Sequence, residues 1–273
     1  MKITISKEHH KPLIAALVFL LAYIPAILSM WDRWFARDSY YSHGILIPFV
    51  SVYLIWQKRE ELAKTARECS RWGALFIGVG LLGYLTSAVF RVNFTASFSM
   101  LFVIYGLILH FYGARILRII IFPVSFFFFM LPLPSVLIVK ISFKMKLFAA
   151  TIAGKVLNSM GLMARQQGSI IIMQNAQIIV DDVCSGLRSL ISLSALGSLF
   201  AYWLKGPAWK RILLFATTIP IAIITNVCRV VLLSSISEIW GSKYATGTLH
   251  DVTGFLVFVL AFVMLSAIGR LME

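Results

Sequence analysis

Three residues, far apart in the chain, are of the types that carry out acyl transfer. Cys184 lies in "DDVCSGLRSL" (181–190), Arg229 in "NVCRVVLL" (226–233) and His250 in "LHDVTGFLVF" (249–258). The thiolate is the nucleophilic form of cysteine, and neighbouring cations lower the ordinary thiol pKa of about 8.5. Histidine takes and returns a proton near neutral pH. Arginine stays charged and presents a fork of donors to a developing oxyanion. Asp181, Asp182, Ser185 and Arg188 surround Cys184 with polarity, which argues against an apolar filler. Cys228, inside an apolar run, reads as such a filler. Three cysteines without CxxC or Cys/His spacing indicate neither a disulfide framework nor a metal site, and no motif asks for a cofactor.

The elements that must position these residues are membrane spans. The chain of 273 residues is 60% hydrophobic and only 13% charged, far from the composition of a soluble domain. An apolar run of about 20 residues crosses a bilayer core. The pattern predicts an all-α polytopic membrane protein, a single integral membrane domain over 1–273, with about eight spans. These are 13–30, 43–56, 72–90, 95–112, 117–131, 185–204, 212–237 and 251–269. The first is expected to be retained, since "SMWDRW" offers no small-x-small cleavage site.

The formal charge of +14 sits mostly in short loops between spans, so it predicts membrane orientation and not nucleic-acid binding. With the N-terminus inside, the inside segments hold fourteen Lys and Arg and the outside segments nine, five of them in one long segment. Both termini are therefore expected in the cytoplasm. The long segment, 132–183, becomes a periplasmic insert. Its "SVLIVKISFKMKLFAATIAGKVLNSM" places Lys140 and Lys144 on one helical face, as expected of an amphipathic helix on the outer leaflet. A ninth span is the competing reading, but a lysine at the bilayer centre costs about 2.5–3.5 kcal/mol. "GSIIIMQNAQIIVDDV" then reads as a short β-hairpin turning at Gln174–Gln177 and leading to Cys184.

On this topology the three reactive residues reach one membrane level. Cys184 and His250 begin spans at their outer ends. Arg229 lies eighteen residues from Arg211, or about 27 Å along a helix, in the outer part of the bilayer. Ionisable groups within spans are functional candidates by default. Arg188 is one, although it could simply bridge to Asp181 or Asp182. "SYYSHGILIP" (39–48) adds His43 as a possible substrate contact and puts Tyr41 in an interfacial belt. "LPLPS" at 131–135 reads as a rigid exit from the fifth span.

Together "VCSGLRSL", "NVCRVVLL", "LHDVTGFLVF", "YSHGILIP" and the stretch from Phe122 to Pro134 resemble the exosortase/archaeosortase family of membrane transpeptidases. The resemblance implies a Cys184, Arg229 and His250 active site at the periplasmic face of a bacterial inner membrane. It implies cleavage of C-terminal sorting signals of the PEP-CTERM kind, so the expected partners are membrane-anchored substrate proteins and the lipid bilayer. Ser185, Arg188 and Asp182 around the thiol, Asn226 in the Asn-x-x-Arg element, and His43 and Tyr41 are candidate supporting or substrate-binding residues. The competing reading is a transporter or exopolysaccharide-export component that holds an anion through Arg188 and Arg229. A non-catalytic assembly partner is a third.

Overall fold

In the computed structural model the described residues are 10–37, 39–181, 184–241 and 248–273, with the side chains of 93 and 248–251 left aside. The chain divides into two compact units at Leu133 and Pro134.

The first unit is helical. It contains α1 (His10–Trp34), a 3-10 turn (Ser42–Ile45), α2 (Leu46–Gln57), α3 (Arg59–Lys64), α4 (Trp72–Phe90), α5 (Asn93–Phe111) and α6 (Gly113–Phe126). A second 3-10 turn, Phe127–Met130, continues α6. Helices in a bilayer gain little from hydrophobicity alone and approach through small residues. That is how α4 meets α5: a side chain at Gly73 would run into the His110 backbone, and one at Gly106 would meet Ile77 at 2.7 Å. Tyr23 on α1 shares a 2.9 Å hydrogen bond with Ser99 on α5. The "YSHGILIP" and "LPLP" segments meet in this unit. The Leu133 N–H donates to the Tyr41 hydroxyl at 2.9 Å, and the Trp34 indole donates to the Met130 carbonyl at 3.0 Å.

The second unit begins with α7 (Ser135–Ser159), followed by β1 (Arg165–Gln167), β2 (Ile170–Ile172) and β3 (Gln177–Ile179). Then come α8 (Leu187–Trp203), α9 (Ala208–Trp240) and α10 (Thr248–Met272). One core joins α7 to the sheet and α9 through Ala150, Ala153, Leu157, Ile171, Val180 and Val230, and Cys184 belongs to it. A second core, including Leu193, Leu214, Ala222 and Leu265, holds α8, α9 and α10 together. At 33 residues α9 is the longest helix described. At 1.5 Å per residue it is about 50 Å long, well beyond a hydrocarbon core of about 30 Å.

Each span expected from the sequence coincides with a helix, but among the described residues six helices, not eight, are long and apolar enough to cross a membrane. They are His10–Trp34, Trp72–Phe90, Phe94–Phe111, Gly113–Met130, Ala208–Trp240 and Val252–Met272. The expected spans 43–56 and 185–204 fall on Ser42–Gln57 and on the 17-residue Leu187–Trp203. Each is about 25 Å long, short of the full core, and α8 carries Arg188 near its start. The expected amphipathic segment is a continuous helix of 25 residues, α7, which buries Ile138, Ser142, Ala149, Ala153 and Leu157.

The expected hairpin is β2–β3, with Ile172 opposite Gln177 and the Met173 N–H donating to the Ala176 carbonyl at 2.9 Å. The sheet has a third, antiparallel strand, with Arg165 opposite Ile172. Its residues Arg165-Gln166-Gln167 are exposed. The strand therefore has no apolar alternation to mark it in the sequence. Gly168, at φ +63°, makes the tight turn that folds it back.

Candidate active site

Three consecutive residues build the turn that carries the thiol. The Cys184 N–H donates to the Asp181 carbonyl at 2.9 Å. The Ser185 hydroxyl accepts the Leu187 N–H at 3.3 Å, satisfying one open donor of the α8 N-terminus. Gly186 is left-handed at φ +81° and precedes the helix. A side chain there would also meet Asn226 at 2.7–2.9 Å. So "CSG" reads as a buried thiol, a hydroxyl that accepts from the helix start, and the one residue type that fits both the backbone and the space.

Helix α9 fixes this turn from the other side. Asn226 is buried, and its side-chain amide donates to the Cys184 carbonyl at 3.0 Å. Three residues later on the same face stands Arg229, 8% exposed. Its charge acts on the Cys184 thiol. One helix face thus both anchors the Cys184 backbone and supplies the nearby cation. Arg229 is bounded in turn by α10. A side chain at Gly254 would meet the guanidinium at 3.0 Å. His250 lies four residues before Gly254 in that helix, about 6 Å along the axis.

Burial pushes the Cys184 thiol above its ordinary pKa. Arg229 pulls it down, Asp181 pushes it up, and a hydrogen bond with the Asp181 backbone pulls it down, leaving the net direction upward. The sequence led us to expect cations to lower this value. They do act, but desolvation of a side chain only 9% exposed outweighs them.

Of the other expected residues, Ser185 and Asn226 join Cys184, and Arg188 stands half-buried in the first turn of α8. Asp182 lies outside the described residues. His43 and Tyr41 belong to the first unit. There His43 stands against the Phe129 backbone, and Tyr41 holds Leu133. Cys228, beside Arg229 in sequence, is exposed and takes no part in this cluster.

Two features escaped sequence reasoning. A groove of about 350 Å³, lined chiefly by Lys144, Met145, Phe148 and Ile223, opens between α7 and α9 and reaches Ser185 and Asn226. At the far end of α9, Glu238 clamps the sheet: the Asn175 N–H donates to both carboxylate oxygens at 3.1 Å, and its side-chain amide to one of them at 3.2 Å. Glu238 is the one carboxylate between residues 183 and 250, a signal available in the sequence.

No curated protein and no solved structure matches the chain. The family model described as transmembrane exosortase does, over residues 31–267, a range that holds the thiol turn, Asn226, Arg229 and His250. With nearly the whole chain covered, and with helices α2 to α9 and the buried Cys–Arg cluster lying inside the match, this protein belongs to the transmembrane exosortase family.

Proposed function

We propose that the chain is a cysteine transpeptidase of the exosortase type, acting on membrane-anchored proteins through a C-terminal sorting signal at the periplasmic face. The observation that supports this reading most is the buried pairing of Cys184 with Arg229, both anchored through one face of α9 and bounded by α10 one turn from His250. In the first step the Cys184 sulfur bonds to the peptide carbonyl carbon, the C–N bond breaks, and the amine leaves. The thiol proton passes through His250 to that amine. Arg229 stabilises the tetrahedral oxyanion. In the second step an acceptor nucleophile attacks the thioester carbonyl and releases the thiol, its own proton returning through His250 to sulfur.

The upward displacement of the thiol has a role in this scheme. The upward shift favours the neutral form of the thiol, which is less reactive toward chance electrophiles until a base takes the proton. The bilayer supplies proximity. A substrate whose single membrane helix ends in a basic cytoplasmic tail is held with its scissile bond at one depth. The short helices α2 and α8 would complete eight crossings, with both termini in the cytoplasm and the whole chain acting as one membrane domain. The 135–183 segment would lie on the outer leaflet beside the thiol as a shield against water.

Processing of a tail-bearing reporter in cells tests the reading. Cys184→Ala and Cys184→Ser abolish shortening of the reporter, whereas Cys228→Ala leaves it intact. Normal shortening by Cys184→Ala ends the covalent mechanism. It would favour an export component that uses Arg188 and Arg229 to hold an anion.

A further inference from the structure

The first unit carries a second groove that the transpeptidase reading does not use. It has a volume of about 380 Å³ and lies between α1 and α4, with Pro25, Ala26 and Ser29 on one wall and Tyr84, Ser87 and Arg91 on the other. Arg91 is exposed and ends α4 in the left-handed conformation, at φ 54° and ψ 38°. A non-glycine residue costs roughly 1–2 kcal/mol there, and glycine is the usual occupant of this position. The chain places a guanidinium where its backbone would favour glycine. Among the described residues no carboxylate forms an ion pair with it.

The depth of the groove is marked by its neighbours. Trp31, Phe35 and Phe90 lie exposed around the same helix ends, at 49%, 58% and 73%. Exposed aromatic residues at the ends of apolar helices mark the membrane–water interface. α5 starts at Asn93 without a side-chain cap, and Ala96 of its first turn lines the groove, so the positive end of that helix also faces it. Ala26, Ala88 and Ala96 leave a smooth apolar floor below the cation. A guanidinium at headgroup level above an apolar slot complements one kind of molecule, an amphiphile with an anionic head.

We propose that this groove binds an anionic phospholipid, with the phosphate on Arg91 and the Ser29 hydroxyl and an acyl chain along the alanine floor. Arginine suits the task because its fork matches phosphate bidentately. Bound lipid would stabilise the α1–α4–α5 bundle and make its stability depend on membrane composition.

The test is thermal unfolding of the full chain in a neutral detergent, titrated with dioleoyl phosphatidylglycerol, with phosphatidylcholine of the same chains, or with inorganic phosphate. Phosphatidylglycerol should raise Tm in proportion to the logarithm of its concentration above Kd, by about 5–10 °C at a hundredfold excess over its Kd. Arg91→Gly separates binding from folding. Without lipid it should melt at or above the wild type, because glycine adopts this backbone freely, and the lipid-induced rise should be lost. Ala88→Leu, which fills the slot from its open side, should reduce the rise. Arg37→Ala, an equal loss of charge outside the groove, should keep it. Should Arg91→Gly fail to fold, Arg91→Gln serves in its place. An undiminished rise in the Arg91 variant, or the same rise with phosphate alone or with phosphatidylcholine, overturns the proposal.

Discussion

Glu238→Ala should release the tip of the sheet while leaving the helices in place. In the native chain the Asn175 N–H and side-chain amide both donate to the Glu238 carboxylate, at 3.1–3.2 Å. The carboxylate is 9% exposed, so water screens these bonds little. Hydrogen bonds to charged groups contribute about 1.5–3 kcal/mol, and a buried donor left unmade costs about 1–3 kcal/mol. Taking about 2–3 kcal/mol for local opening, and a tenfold change for every 1.4 kcal/mol, hydrogen exchange at the Asn175 amide should quicken about 30- to 150-fold. Glu238→Gln keeps an acceptor oxygen and should fall between the two. Exchange measured by mass spectrometry on peptides spanning 170–180 provides the readout, with a peptide from α9 around Asn226 as the internal control. A change below threefold at Asn175 would mean that the clamp holds nothing. Equal acceleration around Asn226 would mean that Glu238 supports the whole unit and not the sheet tip. If 135–183 shields the thioester, the same variant should raise the ratio of hydrolysed to transferred product.

Other outcomes follow from the site geometry. Because the Cys184 thiol is displaced upward, its alkylation by iodoacetamide should still be accelerating above pH 8.5, the ordinary thiol midpoint. Arg229→Gln should displace it further and slow alkylation at any fixed pH, while a rate that levels off below pH 8 would contradict the burial argument. The linked stability has a definite sign. The fold favours the neutral thiol, so this contribution is intact below the unfolded thiol range and is lost as pH rises through the higher folded value. Arg229→Lys should fail in reporter processing despite keeping the charge, since an ammonium lacks the planar fork; full activity would reduce Arg229 to a point charge. Gly186→Ala combines a left-handed backbone with a 2.7 Å approach to Asn226 and should cost about 2–4 kcal/mol in thermal unfolding; a change under 1 kcal/mol would show that the turn relaxes freely. Single-cysteine variants should place Cys69, which is exposed, on the cytoplasmic side. Labelling of Cys69 by an impermeant reagent in intact spheroplasts would reverse the orientation.

Hydropathy over a window of about 20 residues is a local quantity, and lipid allows helices little alternative, so the apolar helices were legible from hydropathy, whereas the short polar α3 was not. All eight expected apolar segments fall on helices, and the hairpin at Gln174–Gln177 appears where β-prone runs flank polar turn residues. The roles of Ser185 and Gly186 were half legible. Their types suit a cap and a positive φ, but the close approach of Asn226 that makes Gly186 sterically necessary comes from a helix forty residues away.

What the tertiary structure decided concerns pairs that no local pattern links. Asn226 reaches the Cys184 carbonyl across a separation of 42 residues, and Asn175 reaches Glu238 across 63. Gly254 closes on Arg229 only because α9 and α10 pack side by side. The protonation of Cys184 could not be read from neighbouring residue types. Sequence shows the charges near a thiol but not the water removed from it, and here desolvation outweighs Arg229. The sequence determined which residue types could react and which segments are apolar enough to form helices. Only packing determined which of them meet, because helix faces are selected by contacts between distant segments, and burial is a property of the assembled chain.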